Sequence, residues 1–389
     1  MPEAVIVSAV RTPIGTAFKG TLSETPAEDL ATHVLREAVR RSGLAPGRFD
    51  DVAFGEVMYG GGDLARYAAV AAGMTHVPGV AVQRHCASGL AAIGLAAASI
   101  RAGMDRAVVA GGVQSSSTGP SLTWRIPGSD GSEQRIAPTF PHTDEATDDV
   151  SLSVGWNVAQ RYGLTREQMD AWALRSHRRA VAATGSGAFA DEIVPIKVTR
   201  RDGSVVEFAA DEHPRSTTSA EKLASLAPLH PEIDGFSITA GSASGMNDGA
   251  AALAIVADDL ARAEGLPELA VVRAWTAVGV QPAYTGVGAI DAATKVLERA
   301  GLRASEIDLW EINEAFASVP VAACEVLGLD EERVNVHGSG CSLGHPIAAT
   351  GARMVTTLVH ELRRRGGGFG LATMCAGGGQ GGAVVIEVP

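Results

Sequence analysis

The chain has little cysteine, little aromatic content and a shortage of positive charge. Four of its 389 residues are cysteine, and aromatics make up 5%. Cys86, Cys324, Cys341 and Cys375 follow no zinc-ligand spacing, and so few in so long a chain exclude a disulfide scaffold. Lys and Arg total 32 against 44 Asp and Glu, a net charge of −12. That balance excludes holding nucleic acid by long-range attraction; an anionic small molecule would need a local basic patch. No charge-free apolar run reaches the ~18 residues that a membrane-spanning helix needs. The stretch Met1 to Gly15 lacks the basic lead of a signal peptide, and Arg11-Thr12-Pro13 interrupts its apolar run. Val384 to Pro389 carries no peroxisomal address. A reducing cytoplasm is the compartment these features suggest.

What is present points to a folded α/β protein. Hydrophobic residues reach 46%, charged ones only 20%, and there are 46 glycines. This supports two or three domains with sizeable cores in which Ala, Gly and Val let backbones approach closely.

The chain repeats itself. Val34 to Leu44 reads as an amphipathic helix ending at Gly43, followed by Asp50 and the apolar run to Phe54. Ala293 to Leu302 ends at Gly301, followed by Asp308 and the run around Leu309-Trp310. A second pair begins at Cys86-Ala87-Ser88-Gly89 and at Cys341-Ser342-Leu343-Gly344. Each leads into a helix of small or apolar residues, Ala87 to Ala102 and Pro346 to Leu358, then a glycine-rich strand. Helices apolar on all faces are buried helices, so a central helical layer between two sheets is expected. Between the halves, Thr118 to about Phe236 is more polar, with one clear helix marked by a Thr165/Gln168 capping box. The expected division is residues 1–117 with 238–269, an insert over 118–237, and a second half over 270–389.

Four stretches carry chemistry. Cys86 opens a buried helix, where backbone N–H groups and the helix dipole favour a thiolate. Gly344-His345-Pro346 opens the other buried helix, and His345 there suits a base. Cys375 runs into the glycine turn 377–382, whose free N–H groups suit an oxyanion hole. A nucleotide phosphate loop needs a following helix, and Ala383 to Val388 reads as a strand. Asn313-Glu314-Ala315-Phe316 ends an apolar strand, where an amide suits a water or a carbonyl oxygen. His177, Arg178 and Arg179 read as a solvated helix face, and Cys341 as packing.

Taken together, Val7 to Gly15, Arg84 to Gly89, Thr239 to Gly249, the Asn-Glu-Ala-Phe tract, Gly344 to Pro346 and Cys375 to Gly379 resemble the thiolase family in order and nearly end to end. The resemblance implies a duplicated five-layer αβαβα fold with an inserted loop domain, and an acyltransferase joining or cleaving coenzyme A thioesters. It implies that Cys86 carries the acyl group and His345 activates it. Cys375 would move the α-proton, and Asn313 would hold an oxyanion-hole water with His345. The N–H groups of Cys86 and Gly377 would form a second oxyanion hole. Ser244 would meet the pantetheine arm, Arg215 the coenzyme A phosphates, and Phe316 the substrate. Coenzyme A is then substrate and product, no separate cofactor or metal is implied, and a homodimer or homotetramer is expected. The sequence departs from the family at Val113-Gln114-Ser115-Ser116 and at Ser151 to Asn157, where Trp156 is unusual. A decarboxylating, ketosynthase-like enzyme and a non-catalytic thiolase-shaped subunit are the alternatives.

Overall fold

The structure is a computed structural model describing residues 1–57, 59, 62–134 and 149–389. Nine strands form the path of a ten-stranded sheet. They are β1 (Ala4–Arg11), β2 (Asp51–Gly55), β3 (Gly79–Val82), β4 (Ala107–Ser115), β5 (Asn247–Ala257), β6 (Ala270–Gly279), β7 (Leu309–Ile312), β8 (Gly368–Ala376) and β9 (Gln380–Val388). The path runs β7-β8-β9-β6-β1-β5-β4-β2-β3, and the short strand Gly15–Thr16 pairs with β5.

The two halves share one pattern. Outward from the centre, β1 pairs antiparallel with β5, β5 antiparallel with β4, and β4 parallel with β2. On the other side β6 pairs antiparallel with β9, β9 antiparallel with β8, and β8 parallel with β7. The halves join where β1 meets β6, at Val5↔Val271 and Ile6↔Ala270. Beyond β2 the first half adds β3. Beyond β7 the second half has, among the described residues, an isolated bridge, Trp310↔Val334.

Helices complete the layers: α1 (Ala27–Ser42), α2 (Ser88–Arg101), α3 (Arg166–Ser186), α4 (Gly288–Ala300) and α5 (Thr350–Arg365). Amphipathic α1 packs on the first half-sheet and α4 on the second, while α2 and α5 each touch strands of both. The result is helix, sheet, helix pair, sheet, helix. The repeat seen in the sequence has a local cause in each copy. Gly43 (φ 76°) and Gly301 (φ 68°) end α1 and α4 in the left-handed region. Asp50 then accepts the N–H groups of Arg106 and Ala107, and Asp308 accepts that of Phe369, tying each turn to the start of β4 or β8.

Glycine sets the spacing of the middle layer. A Cβ on Gly89 would lie 2.8 Å from the backbone N of Ala352, and one on Gly351 would lie 2.6 Å from that of Leu90. So α2 and α5 cross with backbones in contact, which only Gly permits.

The second central helix differs from expectation. It starts at Thr350, not Pro346, and runs on to Arg365. Residues 346–349 form a turn, with the N–H of Thr350 bonded to the Pro346 carbonyl at 2.9 Å. The three arginines 363–365 prolong the helix at its negative dipole end, where cations are favoured. Nor is α5 apolar all round: Arg353 and Glu361 are buried in it, the former paired to Glu311 at 2.7 Å.

The capping box at Thr165/Gln168 is present and starts α3. The segment between the halves holds more than that helix, including the hairpin Ile196–Thr199 with Val205–Phe208 and the short helix Ala220–Ala224. A buried ion triad pins it to the end of β1. Arg11 meets Glu192 at 2.6 Å and Asp211 at 2.8 Å, and Asp211 also accepts the N–H of Ile14.

Candidate active site

Cys86 lies in a turn just ahead of α2, whose first helical residue is Ser88. Two features hold the turn. The Ser88 hydroxyl accepts the N–H of Arg84 at 2.8 Å and donates to the His85 carbonyl at 2.6 Å. His85 itself adopts φ 45°, a left-handed conformation uncommon outside glycine. The backbone N–H groups of Gly377 and of Cys86 itself, the two groups named from sequence as an oxyanion hole, lie near enough to the thiol to lower its pKa.

The sequence expectation of a thiolate-favouring site is corrected here. Burial pushes the Cys86 thiol up to about 11, and the two N–H groups only partly offset that. Cys375, the last but one residue of β8, is fully buried, and its thiol is raised by burial and by the neighbouring Cys86. The glycine turn beyond it is fixed by neighbours. The Gly379 N–H donates to the Thr285 hydroxyl at 3.1 Å, and the Gly379 carbonyl accepts from Val280 at 2.7 Å. A Cβ on Gly377 would touch the His85 ring at 3.3 Å.

His345 and Asn313 form the second part. Asn313 follows β7, and its N–H donates to Thr373 on β8, two residues before Cys375. Its Nδ2 lies 3.4 Å from His345 Nε2, and its buried Oδ1 has no partner among the described residues. His345 Nδ1 lies 2.7 Å from the Thr350 hydroxyl, which donates onward to the Pro346 carbonyl at 2.9 Å. With its proton committed there, Thr350 must accept, so Nδ1 carries the imidazole proton and Nε2 presents a lone pair. Burial, with the nearby Arg353, lowers the His345 pKa to about 3, so the ring is neutral and Nε2 is unprotonated. The backbone of His345 donates to Asn247 Oδ1 at 3.0 Å. A Cβ on Gly344, at φ 101°, would strike that amide at 2.4 Å.

Ser244 and Phe316 lie beside this pair. The Ser244 N–H donates to the Ala315 carbonyl at 2.9 Å, and Ala243 bridges Phe316. The Phe316 ring packs 3.1 Å from where a Cβ on Gly155 would stand. Arg215 is exposed, its backbone N–H donating to His177 Nδ1 at 3.2 Å. It reaches the site only through its loop: His213 abuts Gly245, next to Ser244.

The structure thus joins Cys86, Cys375 and Gly377 through one set of contacts and Asn313 with His345 through another. Adjacent strands β7 and β8 link the two sets. Sequence reasoning gave no role to Thr350, Asn247 or Thr285. A Thr one helical turn past His-Pro was the available signal for the first.

The solvated helix face is also corrected. His177 is buried and stacks on His213 at 6.2 Å, and Arg179 bonds to the Val334 carbonyl; only Arg178 of the three is exposed. Cys341 is buried, its thiol facing the carbonyls of Ser242 and Glu314 at 3.8 and 3.6 Å, as packing requires. It sits in its own short helix, Gly340–Leu343, so the internal match to Cys86 does not extend to the start of α5. In the unusual tract, Trp156 packs on Phe236 at 5.1 Å, and Asn157 Nδ2 donates to the Ala283 carbonyl at 2.7 Å.

Two nucleophile-type thiols, a lone-pair imidazole and convergent N–H donors define an acyl-transfer site. Comparison with known proteins places it. The thiolase N-terminal domain matches residues 4–259 and the thiolase C-terminal domain residues 266–388. A relative named acetyl-CoA acetyltransferase from Escherichia coli is 42% identical, covering 100% of this chain and 99% of its own. A 3-ketoacyl-CoA thiolase from Bacillus subtilis is 39% identical over 100% of both. The crystal structure of the Bacillus anthracis acetyl-CoA acetyltransferase superposes at TM-score 0.92 with 41% identity, covering 100% of this chain and 99% of that one. That of human mitochondrial 3-ketoacyl-CoA thiolase does so at 0.89 with 33% identity, with the same coverage. The chain belongs to the thiolase family.

Proposed function

We propose that the chain is an acetyl-CoA C-acyltransferase: acyl-CoA and acetyl-CoA exchange reversibly with 3-oxoacyl-CoA and CoA through a thioester on Cys86. The observation that carries the reading is geometric: Cys86 and Cys375 come together beside Gly377, and the Asn313–His345 pair is tied to the same strands through the Asn313 N–H on Thr373. Cys86 Sγ attacks the acyl carbonyl and its proton passes to His345 Nε2. The leaving coenzyme A sulfur takes the Cys375 proton. The Cys375 thiolate then removes an α-proton from acetyl-CoA, and the carbanion attacks the Cys86 thioester. Cys86 sulfur leaves and recovers its proton from His345. The Cys86 and Gly377 N–H groups suit the oxyanion of the Cys86 adduct, and Asn313 with His345 the enolate. Ser244, Phe316 and Arg215 are the proposed coenzyme A and acyl contacts. Coenzyme A comes and goes as substrate, with no resident cofactor proposed. The relatives support a thiolase rather than a decarboxylating condensing enzyme or a non-catalytic subunit.

Among the described residues no helix is long and apolar enough to cross a membrane. A reducing cytoplasm suits two thiols that must stay reduced, and all four cysteines are free. A homodimer joined along β3 is proposed for the assembly.

Intact-protein mass spectrometry after exposure to a panel of acyl-CoAs tests the mechanism. One acyl group should add to the wild type and to Cys375→Ala, and none to Cys86→Ser. Cys375→Ala should acylate without condensing. Turnover in Cys86→Ser would sink the scheme.

A further inference from the structure

We infer that Glu314 is a positioning residue for the Asn313–His345 pair, clamping the inserted helix α3 and the Gly340–Leu343 helix against it. This rests on the acyl-transfer reading above. Glu314 is 1% exposed, and no Lys or Arg pairs with it among the described residues. Four donors meet its carboxylate. Oε1 accepts Trp172 Nε1 and Asn335 Nδ2, each at 2.9 Å. Oε2 accepts the Ser176 hydroxyl at 2.6 Å and the Cys341 N–H at 3.1 Å. Trp172 and Ser176 belong to α3, so one side chain ties the insert to the second half.

Both members of the pair hang on this clamp. Asn313 is the preceding residue. His345 follows the Gly340–Leu343 helix, which Glu314 holds through its carboxylate at the Cys341 N–H and its carbonyl at the Cys341 thiol. That helix also leans on the pair itself. A Cβ on Gly340 would lie 2.5 Å from the Glu314 carbonyl oxygen and 3.0 Å from Asn313 Oδ1. The 3.4 Å spacing of Asn313 Nδ2 and His345 Nε2 is therefore set where these two segments meet on Glu314. Cys86 is held elsewhere, by the turn 84–88 and Gly377.

A carboxylate is the group this site needs because it only accepts. After Glu314→Gln, either orientation of the new amide would set an NH₂ against a fixed donor, the Trp172 indole or the Cys341 peptide. The shape is kept and the clamp is lost.

The test compares Glu314→Gln and Trp172→Phe with wild type, reading two rates per folded molecule. One is turnover from acyl-CoA and acetyl-CoA. The other is alkylation of Cys86 by iodoacetamide, a small electrophile that needs no carbonyl polarisation. Misplacement of a catalytic pair by an ångström costs about 10²-fold. Glu314→Gln should lose turnover on that scale while alkylation stays within about twofold. Trp172→Phe, which removes one donor and keeps the carboxylate, should show the same split with a smaller loss. Wild-type turnover in Glu314→Gln would overturn the assignment. So would an alkylation rate changed as much as turnover in either direction, which marks a change around Cys86 and not at the pair. A wild type that takes no acyl group at Cys86 would instead bring down the acyl-transfer reading and the clamp with it.

Discussion

At the residue scale, the candidate groups that the structure brings together were legible and their protonation was not. Cys86, His345, Cys375 and Asn313 stand in tracts whose local pattern announces turns, a helix start and a strand end. Their charge depends on burial in the folded chain, which for Cys86 outweighs the N–H of Gly377 brought in from far off in sequence. A helix N-terminus suggests a lowered thiol pKa, yet here desolvation dominates and sets Cys86 at about 11. The sign is simple: a raised thiol pKa means the neutral form persists until the pH approaches it. At pH 7 the thiolate fraction is then ~10⁻⁴. His345, at about 3, carries no charge that would pair with a thiolate in this range. The rate of Cys86 alkylation by iodoacetamide should therefore rise about tenfold per pH unit from about pH 6 to 9, without levelling. A plateau below about pH 8 would mean a preformed thiolate–imidazolium pair and would refute the neutral resting site.

At the element scale, the two central helices were legible because small and apolar residues dominate their runs, although Arg353 lies within the second. The start of α5 was not. Pro346 suits a first helical turn, but Ala348 is drawn into a separate turn by packing. Its carbonyl oxygen lies 2.1 Å from a Cβ position on Gly112, 2.9 Å from one on Gly55 and 3.0 Å from one on Gly89. Three glycines from three elements meet one carbonyl, and that contact outranks the local preference. The same closeness gives a prediction at the crossing. Gly351→Ala gains up to about 1 kcal/mol of helix propensity. Against this, the new methyl would stand 2.6 Å from the backbone N of Leu90, where no side chain can yield. Overpacking of this kind costs about 1–3 kcal/mol. The balance should be destabilising, seen as a melting temperature lowered by several degrees in calorimetry. A melting temperature at or above the wild-type value would show that the helices part freely.

At the scale of the whole molecule, the duplication was legible from Gly43 with Gly301 and Asp50 with Asp308, because each pair performs the same local task. The attachment of the insert was not. It depends on Arg11 meeting Glu192 and Asp211, contacts spanning 181 and 200 residues that no local pattern signals. The halves also differ at their outer edges, and that difference bears on assembly. The second half ends at β7 with a bridge to Val334, whereas the first ends at β3, hydrogen-bonded on one side only among the described residues. An open strand edge is a template for pairing with another chain. Val80 on β3 is 44% exposed, and Tyr67 and Val70 on the adjoining helix Leu64–Ala71 are exposed too. A second copy, running antiparallel across a twofold axis as in the proposed dimer, would satisfy that edge and cover those side chains. Val80→Lys places like charges near one another across such an axis while leaving the monomer's buried contacts intact. Light scattering should find the wild type as a dimer or a multiple of it, and Val80→Lys shifted toward monomer with unchanged circular dichroism. A monomeric wild type would remove the proposed assembly, and a variant as dimeric as the wild type would move the interface away from β3.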